Sequence, residues 1–433
     1  METRLGKFLG KAIEYLSYLF VFTLPWQLKL IFRPGETNYT EISFYFSHGL
    51  LLLILFLFLW RRLKDTEKEN ESPAIIYSLA ALEFFVFISI FFASDQVLAA
   101  YRYFIFLAAL SLFFIIRFGT APRNYKDPII NKIGLIYSFL AAALAQAILG
   151  IYQFLTQTSF AFKYLGMAAH NPSTLGTAVI ETANGRWLRA YGGLDHPNIL
   201  GGFLAIALIL AAYLLAKKKM LNTRRQVWSS IFLFIFYFIT LYALFFTFSR
   251  SAWLALAAGF LALLIALIVN KDKWILGRFI ALIFFSAALI GIAAAPFQEL
   301  LMVRIDATTR LEQKSITERT SYIFQARDLL QKNFLTGVGI GNYSTAVAVA
   351  DQNKEPAWEY QPVHNVFLLL WAEGGLFSFL SFLIFLFFLI KNGRREIYAF
   401  AILAPLLILM LLDHWLFSLP FGILFFFLLL GLI

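Results

Sequence analysis

The fold class predicted for this chain is an all-α polytopic membrane protein of about twelve transmembrane helices with both termini in the cytoplasm. Three observations carry that prediction. Only 14% of the 433 residues are charged and 61% are hydrophobic, against roughly 25% charged in soluble domains. Apolar runs of about 20 residues, the length that crosses about 30 Å of hydrocarbon, recur from end to end. The basic residues fall in alternate connections, as the positive-inside rule requires. The ten-residue alternating segments of a closed β-barrel are absent.

Taken in order, the predicted spans are 12–32, 41–60, 74–93, 97–116, 133–155, 197–216, 227–247, 251–269, 274–296, 363–390, 396–412 and 415–432. The connections at 61–73, 117–132, 217–226, 270–278 and 391–396, with the N-terminus, carry 22 of the 36 Lys and Arg residues. They alternate with connections that are short or poor in basic residues, such as 94–96. The basic start at Arg4, Lys7 and Lys11 runs into the first span, which reads as retained and not as a cleaved signal. This distribution accounts for the net charge of +11 and argues against a nucleic-acid partner. Without cysteine, the chain has no disulfide, thiolate metal site or thiol nucleophile. No internal repeat of the secondary-transporter kind is visible. The chain reads as a single integral membrane domain over 1–433.

Alternation places two long segments, 156–196 and 297–362, on the outer side. With Trp187, Tyr191, Trp358, Tyr360 and recurrent glycine they are expected to be folded. In the second, Ser315 and Glu318 have the spacing of a capping box that starts a helix. Ile316, Ile323, Leu330 and Phe334 then share one face, with Arg319 beside them. Such a helix is expected to lie along the membrane surface or on the span bundle. Gly337, Gly339 and Gly341 are expected to end it in a turn.

Candidates for chemistry gather on this outer side. His364 and Asn365 stand where a polar loop becomes an apolar helix, and histidine titrates nearest physiological pH, which suits a general base. Gly375, eleven residues on, is expected to admit a neighbouring helix. Glu373 sits in mid-span, where an ionisable residue is either a structural partner or part of a site. Arg250 occupies a tight corner between two spans, where a guanidinium fork can grip a phosphate. Arg189 lies in the other outer loop, and Arg102, near the outer end of span four, reads equally as a snorkelling residue. His196 and Asn198 read as a helix start. Glu83 and Asp413 receive no role. The five histidines are too scattered for a zinc motif, and no Asp-x-Asp pair occurs. The expectation is a metal-independent enzyme without a cofactor.

These residues, in this order, resemble the O-antigen ligase and polymerase superfamily of bacterial membrane glycosyltransferases. The resemblance rests on Arg250-x3-Leu254, on Glu318-Arg319, and on Gly337-Val-Gly-Ile-Gly-Asn342. It rests above all on His364-Asn-x-Phe367-Leu with Glu373-Gly-Gly375, a His-x10-Gly pattern. Arg189, Gly193 and His196-Pro-Asn198-x-Leu-Gly201 are similar to the family's outer-loop signature. The resemblance implies a GT-C-like fold with a large helical periplasmic loop between spans nine and ten. It implies a donor glycan on undecaprenyl pyrophosphate in the inner membrane and an active site facing the periplasm. His364, Arg250 and Arg319 would be catalytic, with Arg189, Arg102, Asn365 and Glu373 contacting the lipid-linked donor. Twelve spans with the longer loop before the tenth are most similar to the ligases, which transfer to lipid A-core oligosaccharide. Polymerases and protein O-oligosaccharyltransferases are the alternatives within the superfamily, and a polyprenyl-linked glycan flippase is the alternative outside it.

Overall fold

The computed structural model describes residues 4–64, 71–121, 128–218, 224–307, 309–351, 355–392 and 397–433. Among them the helices run α1 (Arg4–Thr23), α2 (Phe46–Lys64), α3 (Pro73–Ser89), α4 (Gln96–Gly119), α5 (Lys132–Thr156), α6 (Pro197–Lys217), α7 (Arg224–Phe246) and α8 (Arg250–Val269). There follow α9 (Lys273–Ala294), α10 (Gln298–Asp306), α11 (Arg310–Lys332), α12 (Tyr343–Ala350), α13 (Val366–Asn392), α14 (Ile397–Leu412), α15 (Trp415–Ser418) and α16 (Pro420–Leu432). Two antiparallel hairpins interrupt the series, β1 (Lys29–Arg33) with β2 (Ile42–Tyr45) and β3 (Val179–Thr182) with β4 (Gly185–Leu188). Among the described residues, nine stretches are long and apolar enough to cross a membrane, those beginning with α2 to α9 and α13. The chain is a multi-pass, all-α membrane protein. The remaining expected spans fall on α1, α14 and α16.

Helix α6 is buried along almost its whole length, packed against α8, α7, α9, α14 and α5. A helix apolar on every side belongs in such a position. At one end of the bundle, Arg117 Nε pairs with Glu71 Oε2 at 2.5 Å, and Asn392 donates to Ser72 at 3.3 Å. Arg278 donates to the Lys218 carbonyl. Much of the basic connections there, at 65–70, 122–127, 219–223 and 393–396, lies outside the described residues.

The structure corrects four expectations. The first apolar helix is 4–23, not 12–32, because Pro25 cannot continue it and the chain turns into the β1–β2 hairpin. The last one starts at Pro420, not at 415. Proline favours an extended residue before it, and Leu419 is extended (φ −115°, ψ 141°), so Trp415–Ser418 stays separate as α15. Helix α11 begins at Arg310 after Thr309, so Ser315 and Glu318 lie inside it and form no capping box. Its buried residues are Glu312, Tyr322, Ala326 and Leu329, while Ile316, Ile323 and Phe334 are exposed. The inward face is therefore turned from the expected stripe, and Arg319 lies on it. Both segments expected on the outer side are folded: 156–196 holds the β3–β4 hairpin and 297–362 holds α10, α11 and α12.

Candidate active site

Asn365 starts α13: its Oδ1 accepts from the Leu368 amide at 3.0 Å, an N-cap that satisfies a first-turn donor. Its Nδ2 donates to the Leu411 carbonyl at 3.3 Å. One side chain thus caps α13 and fastens it to the end of α14, which brings His364 beside Asp413 and His414. The His364 ring stacks on Tyr322 of α11 at 5.6 Å and meets the His414 ring edge-on at 4.7 Å. One ligating atom from each of His364, Asp413 and His414 lies within 4.8 Å of the others. Histidines scattered in sequence are here brought into one cluster. His364 Nδ1 is buried without a hydrogen-bond partner.

Asp413 is held from several sides. Its Oδ1 accepts from the His414 amide at 2.8 Å and its Oδ2 from Asn198 Nδ2 at 3.3 Å. Asn198 Oδ1 accepts from Arg189 Nη2 at 2.8 Å, and Arg189 Nε donates to the Thr247 carbonyl at 2.7 Å. His196 caps α6, its Nδ1 accepting from the Asn198 amide at 3.1 Å. Arg189 and Asn198 thus form a buried relay from the α7–α8 corner to Asp413. Asn198→Ala should leave two buried polar groups unpaired, costing about 1–3 kcal/mol; thermal unfolding in detergent measures it.

A polar cavity of about 180 Å³ opens here, lined by Asp195, His196, Asn198, His364, Asp413 and His414 among others. Burial lowers the pKa of His364, and Arg319 lowers it further against the opposing pull of Asp413. Burial and His364 push His414 down to about 3. Burial alone would raise the Asp413 carboxyl, but His364, His414 and Arg319 outweigh it and hold it below the usual range. The site offers neutral imidazoles beside an ionised carboxylate.

The arginines divide by what they touch. Arg319 is half-buried on the inner face of α11, near enough for its charge to act on His364, Asp413 and His414. It makes no hydrogen bond or ion pair among the described residues. Arg250 stands at the corner after Phe248, whose φ of 46° is rare for a side-chain-bearing residue. Its Nη2 lies 3.0 Å from Glu312 Oε2, an ion pair without hydrogen-bond alignment, and its Nη1 donates to the Arg304 carbonyl at 3.3 Å. Arg304 pairs with the same carboxylate and donates through Nε to the Phe248 carbonyl at 3.0 Å. Arg102 is buried, donating to the carbonyls of Ser418 at 3.0 Å, Asn38 at 3.1 Å and Tyr39 at 2.8 Å. Glu83 lies away from this cluster and accepts from the Tyr103 hydroxyl.

Glu373 and Gly375 form one structural unit with the glycine-rich turn. Helix α13 breaks at Gly375, where φ is 78° and ψ 176°. Carbonyls freed by the break, those of Ala372 and Glu373, accept from Val338 and Gly339 at 2.8 and 2.9 Å. The freed amide of Leu376 donates to the Phe334 carbonyl at 3.2 Å. Backbone groups at membrane depth need such partners. The Glu373 carboxylate accepts from the amides of Gly341 at 2.8 Å and Tyr343 at 3.4 Å. The neighbour that Gly375 admits is thus the turn at 335–337 and not a helix. Gly375→Ala, in a positive-φ region open essentially to glycine and against a backbone, should cost about 1–3 kcal/mol from conformation alone and more from the clash, read as a lower unfolding temperature.

Sequence reasoning missed Arg304, Glu312 and Asp413. For Asp413 a signal existed: an acidic residue and a histidine adjacent at the break between two apolar runs. Residues 235–383 match the family model described as O-antigen ligase. The matched segment contains Arg250, Arg304, Glu312, Arg319, His364, Glu373 and Gly375, whereas Arg189, Asn198 and Asp413 lie beyond it. No curated protein and no solved structure matches the chain. This match, over about a third of the chain, supports membership of the O-antigen ligase superfamily.

Proposed function

We propose that this protein is an O-antigen ligase. It moves a polysaccharide from undecaprenyl pyrophosphate to lipid A-core oligosaccharide at the periplasmic face of the bacterial inner membrane. The reading includes twelve spans, with α1, α14 and α16 added to the nine long apolar stretches, and 297–362 as the periplasmic loop. The observation that carries it is His364, an imidazole with an unpartnered nitrogen, beside Asp413 and an arginine, Arg319, that has no ion pair among the described residues.

His364 removes the proton of an acceptor sugar hydroxyl. The oxygen attacks the anomeric carbon as the bond to pyrophosphate breaks, and the proton stays on the imidazole, where Asp413 balances its charge. A single displacement inverts the anomeric configuration and needs no carboxylate pair of the glycosidase kind. Arg319 faces the leaving pyrophosphate and stabilises the charge that develops there. Arg250 joins it when its fork turns from Glu312 to the phosphate, a bidentate role that lysine cannot fill. Arg189 assists through Asn198 by fixing Asp413. Arg102, Asn365 and Glu373 act through the framework they hold.

The test is incubation of the purified, reconstituted protein with lipid-linked donor and core acceptor. A new linkage to the core supports the ligase. Elongation of the donor glycan alone would replace it by a polymerase, and transbilayer movement without a new linkage by a flippase. Transfer should persist in EDTA; a strict requirement for one added divalent metal would refute the metal-free mechanism.

A further inference from the structure

The geometry points to a transition-metal site formed by His364, Asp413 and His414, and we infer that a zinc-class ion bound there blocks glycan transfer. Two imidazoles and one carboxylate are a donor set suited to such ions. They come from two chain segments that the Asn365–Leu411 hydrogen bond holds together. Their ligating atoms lie within 4.8 Å of one another. Tetrahedral ligands at about 2.0–2.2 Å from zinc sit about 3.4 Å apart, so small side-chain rotations close the site.

The surroundings fit a metal independently of that spacing. His414 Nδ1 lies 2.7 Å from Ser418 Oγ, which orients the ring and leaves Nε2 for a ligand. Asp413 is steadied by Asn198, and outer partners of this kind set ligand orientation in metal sites. His364 Nδ1 is buried and has no hydrogen-bond partner among the described residues, so it is available as a ligand. The cavity of about 180 Å³ beside them has room for a water as fourth ligand. Two imidazole nitrogens favour zinc, copper or nickel over magnesium and calcium. An imidazole nitrogen bound to metal cannot accept a proton. Binding stands on the donor geometry alone, and the block rests on His364 being the base.

Full-length protein in detergent, stripped with chelator and dialysed, is titrated with Zn²⁺ alone and, separately, with Co²⁺ followed by its visible absorption. One ion per chain is expected, with a nitrogen-ligated cobalt spectrum and no competition from Mg²⁺. His414→Gln should abolish binding, and Ser418→Ala, which leaves all three ligands in place, should weaken it at least about tenfold. Absence of stoichiometric binding, or binding unchanged in both variants, overturns the site. In the transfer assay, Zn²⁺ should stop product formation over the concentration range in which it binds, and EDTA should restore it. Transfer that continues with zinc bound, or that zinc stimulates, overturns the block. Because binding is measured without donor or acceptor, its result stands even if the ligase reading fails.

Discussion

Replacing His364 by alanine is expected to lower kcat for transfer by about 10²–10⁴-fold, the range that a positioned general base contributes. The substitution removes a side chain with no hydrogen bond to the protein through Nδ1, so no buried partner is stranded there. Insertion and donor binding should stay close to normal, because Asn365, not His364, caps α13. A filter-binding measurement with radiolabelled lipid-linked donor separates this from a folding defect. Unchanged donor affinity with lost turnover is the expected pattern. Loss of both in parallel would give the histidine a structural role instead.

Arg319→Ala should lower kcat by about 10²–10³-fold, the scale seen when one preorganised donor to a developing negative charge is removed. The unfolding temperature should hardly change, since the guanidinium makes no ion pair among the described residues. Arg250 is a less clean probe. It contributes to a buried ion cluster with Glu312 and Arg304, so its removal disturbs packing and chemistry together. A lysine at 319 keeps the charge but loses the planar fork and should recover little of the transfer. Kinetic and thermal measurements on the same preparations check both halves of this expectation.

Much of the fold was legible because a span announces itself by length and apolarity. The spans from 41–60 to 363–390 fall on helices whose ends differ by a few residues. The errors lie where a local rule met a tertiary one. Apolar residues 29–33 look like a continued first span, yet Pro25 stops the helix and hydrogen bonds to 42–45 make them a strand. The Ser315–Glu318 spacing suggested a helix start, but the N-cap position falls six residues earlier, at Thr309. Of the site, counting connections leads to the expectation that His364, Arg250 and Arg319 share one side. The partners were not legible that way: Asp413 lies 49 positions after His364 in the sequence, and only the packing of α14 against the start of α13 joins them. Glu373 was equally open to a structural and a functional reading, and the two backbone amides it accepts explain it as the anchor of the glycine-rich turn.

The central claim is metal-free, inverting transfer with His364 as base. Its most direct test is a single reaction in EDTA, with defined lipid-linked donor, core acceptor, and either wild-type or His364→Ala protein, with the product linkage read by NMR. The account predicts a new glycosidic bond of inverted configuration with wild-type protein and almost none with the variant. A retained configuration, or full transfer by His364→Ala, would contradict it.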